Sequence, residues 1–191
     1  DPLRWYFLAR LAPEVQKRIS VGIIADVARS FINTLWNTYA FFTLYASLDR
    51  LDVTAEIPLD QRPEIDRWAL ALLHRTTDTV TTSLERYDAR TAGEALESFV
   101  DQLSNWYVRR NRRRFWKSEA EDDKLSAYLT LYQCLEVVNR LMAPFMPFLT
   151  EALYQNLVRS VDPQAPMSVH MTDWPQANPL WQDEELIGSL T

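Results

Sequence analysis

The chain has 191 residues, of which 47% are apolar and 24% charged, so it can bury a large core without disulfides or metal ions. Its three glycines are too few for the many hairpin turns of an all-β fold. One cysteine and two distant histidines exclude an internal disulfide framework and a cysteine- or histidine-rich metal site. The single thiol suits a reducing compartment, and we predict a cytoplasmic protein.

The first 20 residues contain an apolar stretch from Leu3 to Leu11, which predicts a short helix closed by Pro13 and followed by a connector. From Ile24 onward, apolar residues recur every three or four positions and predict a long helix over 22–48. Nineteen residues of it, 30–48, carry no charge and match the length of a membrane span. Seven polar residues interrupt this stretch, so we expect no membrane helix.

Two further helices follow a charged link. Pro63 is well placed in the first turn of a second long helix, which ends near Tyr87. Asp88 is a suitable cap for the third helix, whose apolar stripe is the most regular in the sequence and runs to Tyr107.

Acidic residues favour the start of a fourth helix near Asp122, because negative charge stabilises a helix N-terminus. Pro144 and Pro147 end it, and a fifth helix is predicted from Phe148 to Arg159. The following residues, 160–178, hold three prolines and are predicted to be irregular, with a short extended segment at 168–172. The pattern predicts an all-α, antiparallel helical bundle.

Positive charge is concentrated at the end of the third helix. Six cations fall within nine residues with no acid among them: Arg109, Arg110, Arg112, Arg113, Arg114 and Lys117. The rest of the chain carries 14 basic and 26 acidic residues. In an unbroken helix Arg110 and Arg114 continue the core stripe, whereas Arg109, Arg112 and Trp116 lie on the opposite side. Since an unpaired guanidinium is costly to bury, these arginines either pair with carboxylates or face a polyanion.

Two interpretations of this basic segment remain open. Arginines beside an exposed tryptophan suit RNA, because guanidinium groups bind phosphates and an indole ring stacks on an unpaired base. Alternatively, a neighbouring acidic patch neutralises the segment. That patch comprises Glu119, Glu121, Asp122 and Asp123.

Asn33 and Asn37 lie one turn apart on the outer face of the first long helix, near Trp36. Asparagine can pair with base edges, which favours RNA contact. Polar residues are equally expected on any solvated helix face, so this alternative also remains open.

Other functional classes receive less support. No glycine-rich phosphate loop and no Glu-x-x-His pair occurs in the sequence, and Cys134 and His74 lie among apolar helix residues. An enzyme site in the bundle is therefore disfavoured. A helical protein-interaction module without RNA binding stays as the alternative to an RNA-binding domain.

Five segments share sequence motifs with a known family. They are Leu3–Tyr6, Phe31–Tyr39, Asn105–Trp116, Leu141–Glu151 and Ser168–Pro175. Together they resemble the isoleucyl-tRNA synthetases, in the helical part that follows the catalytic core, over about residues 2–175. The Asn-Trp-Tyr-x-Arg-Arg-x-Arg-Arg-Arg-Phe-Trp pattern is specific to the isoleucine enzymes among their valine, leucine and methionine relatives, whereas Ala-Pro-Phe-x-Pro is shared by all of them.

The resemblance implies the anticodon-binding bundle of a class I aminoacyl-tRNA synthetase. It divides the chain into three parts. Residues 1–20 are the end of a stem-contact connector, and residues 21–160 form the bundle. Residues 161–191 are an irregular segment leading to a further C-terminal part. In the related methionine enzyme an Asn, a residue one turn later and a Trp face the anticodon. Their counterparts here are Asn33, Asn37 and Trp116, although the second is Arg in that relative.

The implied partners are isoleucine tRNA and the rest of the synthetase, without a membrane, in a monomeric enzyme. The parent enzyme attaches isoleucine to its tRNA in translation, using ATP with magnesium. The family's HIGH-like and KMSKS-like motifs and its editing domain are outside this sequence. We therefore expect this chain to bind tRNA, to need no cofactor and to be inactive alone.

Overall fold

The computed structural model describes residues 1–10, 16, 18–117 and 121–190. No strand occurs in this part of the chain, and α-helices supply almost all of its regular structure. The α-helices are α1 (Pro2–Trp5), α2 (Val21–Val27), α3 (Asn33–Asp49), α4 (Glu64–Glu85), α5 (Ala89–Gln102), α6 (Arg109–Lys117), α7 (Glu121–Met142), α8 (Pro147–Tyr154) and α9 (Glu184–Leu190). Four π turns continue these helices, at Tyr6–Arg10, Ala28–Ile32, Leu103–Val108 and Gln155–Arg159.

The predicted first long helix is confirmed as α2, a π turn and α3 in unbroken succession. It begins at Ser20, whose hydroxyl accepts a hydrogen bond from the amide of Ile23 at 3.2 Å. It ends at Arg50, which adopts the left-handed conformation with φ of 52°. The predicted N-terminal helix is also present, as α1 and its π turn, whereas Pro13 lies outside the described residues.

The remaining long helices are confirmed close to their predicted ends. Pro63 precedes α4, and the Asp88 carboxylate accepts a hydrogen bond from the amide of Thr91 at 3.0 Å to cap α5. α5, its π turn and α6 form one continuous helix from Ala89 to Lys117. The long helices pack against one another, α4 on α5 and α7 and α6 on α7, so the fold is the expected all-α bundle.

The long helices meet in one core of fully buried aromatic and aliphatic side chains. Its largest members include Trp5, Trp68, Phe99, Tyr107, Phe115 and Tyr128. The ring of Trp5 stacks on Phe31 with centroids 4.5 Å apart, which joins the N-terminal helix to the first long helix. Each such side chain contributes roughly 1.5–3 kcal/mol through burial, so this core holds the site-bearing helices firmly in place.

At the end of the third helix the predicted core stripe is wrong for Arg110, whereas Arg114 is directed inward as predicted and pairs with Asp66. The amide of Arg109 donates to the carbonyl of Ser104, five residues earlier, within the π turn Leu103–Val108. This wider turn adds a residue, so the buried face continues through Asn111 and Phe115. Arg110 is therefore exposed rather than part of the core stripe.

The C-terminal region also differs from the prediction. Residues 168–172 are not one extended segment, since only Ser168 and Thr172 at its two ends have extended backbone. The Glu151 carboxylate accepts hydrogen bonds from the Ser168 hydroxyl at 2.8 Å and the Val169 amide at 3.0 Å. These bonds accompany a 3-10 turn at Val169–Met171. The segment expected to be irregular contains α9, which packs on α4 and buries Leu186.

Within the described residues, no helix combines the length and the apolar character that crossing a membrane requires.

Candidate nucleic-acid interface

In each of the two helices that carry the site, α3 and α6, a π turn lies directly before the candidate residues. The amide of Asn33 donates to the carbonyl of Ala28, and the amide of Arg109 donates to the carbonyl of Ser104, each five residues back. Asn33 and Arg109 are thus the first α-helical residues after their π turns. Such turns occur frequently at functional sites, because they alter the direction of side chains within a continuous helix.

A cleft of about 230 Å³ lies between α3 and the end of the third predicted helix. Its lining residues are Asn37, Thr38, Phe41, Ser104, Asn105, Val108, Arg109 and Arg112. The structure therefore brings together three of the predicted site residues from segments about 70 positions apart in sequence. Asn33 is exposed one turn before Asn37 and does not line this cleft.

Arg112 is held in the cleft by an aromatic ring. Its guanidinium carbon lies 5.7 Å from the centroid of the Phe41 ring, within the range of a cation–π contact. Phe41 meets the fully buried Phe115 edge to face, with centroids 5.2 Å apart. A core-anchored ring therefore orients this exposed cation.

Two tryptophans expose much of their surface on these helices. Trp116 is 63% exposed and Trp36 is 46% exposed, the latter against Tyr39 with centroids 5.3 Å apart. Exposed indole rings beside cations provide the flat surfaces on which unpaired bases stack.

Among the described residues, few of the predicted phosphate-binding cations have an acidic partner. Arg109, Arg113 and Lys117 are exposed and form no ion pair with another described residue. The alternative of a self-neutralised segment holds for one arginine in the described part of the chain, since Arg114 pairs with Asp123. Glu119 lies outside the described residues.

Arg110 lies on the side of the helix that faces α4. Its guanidinium carbon is 4.4 Å from the centroid of Trp106, which packs against Trp68 of α4 at 4.4 Å. The residue is exposed, so its charge remains accessible on the side away from the cleft.

Arg114 is directed inward. Its guanidinium donates to both carboxylate oxygens of Asp66 at 2.7 and 2.8 Å and also bonds Asp123 and the Asn111 side chain. Burial disfavours the guanidinium charge, but the hydrogen bonds to Asp66 and Asp123 outweigh this effect and raise the pKa of Arg114. With its donors engaged, Arg114 is a structural support of the segment rather than a free phosphate ligand.

Sequence reasoning missed Asp66, the carboxylate that holds Arg114. Asp66 also accepts hydrogen bonds from the hydroxyls of Tyr107 at 2.7 Å and Ser126 at 2.6 Å. Burial, together with the adjacent Asp66 charge, raises the pKa of Tyr107 well above its ordinary value and keeps the phenol a donor. The only sequence signal was an acid placed between Ile65 and Trp68, two residues of an apolar stripe.

The geometry defines a class: a helical domain with a surface of exposed cations and an exposed tryptophan at the end of one helix. A family model described as the anticodon-binding domain of tRNA ligase matches residues 66–190, which is more than half of the chain. The chain belongs to this family.

Curated relatives match all or nearly all of the chain and carry the name isoleucine–tRNA ligase. The one from Thermus thermophilus is 49% identical over 191 residues, covering 100% of this chain and 18% of the relative. The one from Deinococcus radiodurans is 48% identical over 190 residues, covering 100% of this chain and 17% of the relative. The one from Dehalococcoides mccartyi strain CBDB1 is 47% identical over 186 residues, covering 97% and 18%. This chain therefore spans less than a fifth of the length of these relatives, and the resemblance to isoleucyl-tRNA synthetases is confirmed.

Proposed function

We propose that this chain is the anticodon-binding part of an isoleucine–tRNA ligase and binds the anticodon stem-loop of isoleucine tRNA. One observation carries the proposal: Asn37, Arg109 and Arg112 line one cleft beside free cations and an exposed tryptophan. The 49% identity to an isoleucine–tRNA ligase supports this choice of RNA.

The proposal gives the surface residues distinct tasks. Arg109, Arg113 and Lys117 bind phosphates, and Trp116 stacks on a loop base. Asn33 and Asn37 pair with base edges. Arg110 and Arg112, oriented by aromatic rings, add further contacts to the RNA.

The rest of the proposed enzyme supplies the chemistry. The longer chain attaches isoleucine to its tRNA with ATP and magnesium, as a monomer in the cytoplasm. This chain contributes the position of the tRNA, and the catalytic and editing parts of the synthetase are its covalent partners. The support is the match of this chain to a minor share of ligases named for that activity.

The test compares tRNA affinity and its salt dependence for single substitutions. Arg113→Ala removes a free cation, so we expect weaker binding to all tRNAs and a salt slope flattened by about 0.7–0.9. Arg86→Ala is the matched control. Arg86 is an exposed arginine just before Ala89, where the same long helix begins.

Trp116→Ala tests the stacking task. We expect a loss of about 1–3 kcal/mol in binding with an unchanged salt slope, because stacking releases few counterions. The melting temperature should not change, since Trp116 is 63% exposed. Phe148→Ala, at another exposed aromatic residue, is the control. Parent-like tRNA binding by both Arg113→Ala and Trp116→Ala would contradict the proposal. Binding that does not respond to salt would favour a protein-interaction module instead.

A further inference from the structure

The π turn at Leu103–Val108, defined by its hydrogen bond from Arg109 to Ser104, is also reflected in the pattern of burial. Four buried residues from Leu103 to Phe115 are spaced four positions apart, through Tyr107 and Asn111, and Val108 beside Tyr107 is buried as well. Three turns therefore take 12 residues, whereas an α-helix needs about 11. The segment contains one residue more than its packing in the core requires.

The extra residue lies where the cleft is. Ser104, Asn105 and Val108, half of the π turn, form one wall of the cleft opposite Asn37 and Phe41. The same turn thus widens the helix at the point that faces α3.

The chemistry of the cleft suits one planar heterocycle. Its volume of about 230 Å³ is smaller than the roughly 300–1,000 Å³ of drug-sized ligand sites. Asn37 and Asn105 carry amides that both donate and accept hydrogen bonds, as base edges do. The Asn105 amide nitrogen is fixed by the Asp101 carboxylate at 2.7 Å, which leaves its oxygen available to a ligand.

We propose that this π turn is the wall of a subsite for a single unpaired nucleobase. The base lies on the Phe41 side of the cleft between Asn37 and Asn105, and its phosphate meets Arg109 and Arg112. The proposal rests on the RNA-binding function above and extends it by assigning the cleft, rather than the exposed tryptophan alone, to one base.

The experiment uses the isoleucine anticodon stem-loop as an RNA hairpin, with 2-aminopurine placed at each loop position in turn. With the parent chain, binding should change the 2-aminopurine fluorescence at one loop position, namely the position whose base enters the cleft. Ser104→Leu fills the cleft without removing a cation. We expect it to abolish that change and weaken binding by about tenfold, with an unchanged salt slope.

Deleting Ser104 tests the turn itself. It converts the π turn into an α turn and restores the buried residues to spacings of three, four and four, so the melting temperature should stay close to that of the parent. Binding should fall as for Ser104→Leu. Deleting Asn156, in the π turn Gln155–Arg159 outside the cleft, is the matched control and should bind RNA as the parent does.

The outcomes separate this subsite from the function on which it rests. Failure of the parent chain to bind the hairpin overturns both. Parent-like affinity and fluorescence for Ser104→Leu, in a chain that does bind, overturn the subsite and leave the RNA-binding function intact. Equal losses from the two deletions also overturn it, because a π turn would then act on folding and not on the base.

Discussion

At the scale of single residues, Asp66 has a fully buried side chain and collects hydrogen bonds from Tyr107, Arg114 and Ser126. A carboxylate taken out of water costs several kcal/mol unless such partners compensate for it. The compensation is shared, because Arg114 is only 15% exposed and needs a partner as well.

Asp66→Asn should therefore destabilise the fold strongly. It leaves the Arg114 guanidinium partly buried without its main counter-charge, and breaking a buried pair costs about 3–5 kcal/mol. Urea unfolding measures the loss. Asp123→Asn is the control, because that carboxylate is 34% exposed and should cost clearly less. Equal losses for the two variants would contradict the assigned role of Asp66.

The sequence identified the cations but not which of them are exposed to bind RNA and which one supports the fold from inside. Local spacing placed all six in one basic segment, and the choice of Arg114 as the internal one depends on Asp66, 48 residues away. Asn37 and Arg109 were likewise recognised separately, whereas their common cleft follows from the packing of α3 against the π turn.

At the scale of helices, two glycines make a matched test of packing. A Cβ on Gly93 of α5 would lie 2.4 Å from the Cβ of Ala9, whereas a Cβ on Gly188 of α9 would meet nothing within 4 Å. Gly93→Ala should destabilise the chain by about 1–3 kcal/mol through overpacking, despite the better helix propensity of alanine.

Gly188→Ala should instead stabilise it slightly, by up to about 1 kcal/mol, since only propensity changes. Thermal unfolding of both variants is the measurement. A gain for Gly93→Ala would show that the N-terminal helix does not pack on α5 as described.

Helix ends were predictable where a cap or a proline marks them. Asp88 and Pro63 each mark the start of a helix through local chemistry, and the observed helices begin beside them. The π turns have no such local signal in the sequence, because tertiary packing selects their hydrogen bonds between residues five positions apart. The 3-10 turn at Val169–Met171 was missed for a similar reason, as it depends on Glu151 in another helix.

At the scale of the whole molecule, stability should fall at both ends of the pH range. Burial opposes ionisation of Asp49 and Glu151, but hydrogen bonds outweigh it, and their pKa values lie below the ordinary 3.8 and 4.5. Because the folded pKa is lowered, this stabilisation is present above those values and is lost as the pH falls through the folded pKa.

The alkaline limb has the opposite sign. Burial raises the pKa values of Cys134 and Tyr107 above their ordinary 9.0 and 10.0. The unfolded chain then releases protons first, so stability declines as the pH rises above about 9. Urea midpoints across the pH range measure both limbs, and Glu151→Gln should flatten the acid limb alone. A midpoint that stays constant into acid would contradict the role of these carboxylates.

The buried carboxylate of α4 also sets the order in which the chain can become native during synthesis. Asp66 emerges from the ribosome 41 residues before Tyr107, 48 before Arg114 and 60 before Ser126. Until those donors arrive, sealing the Asp66 face of α4 would leave a desolvated charge, so that face must stay hydrated in the nascent chain. Contacts this distant in sequence also slow folding. The buried network around Asp66 is therefore complete only after the start of α7 has been translated.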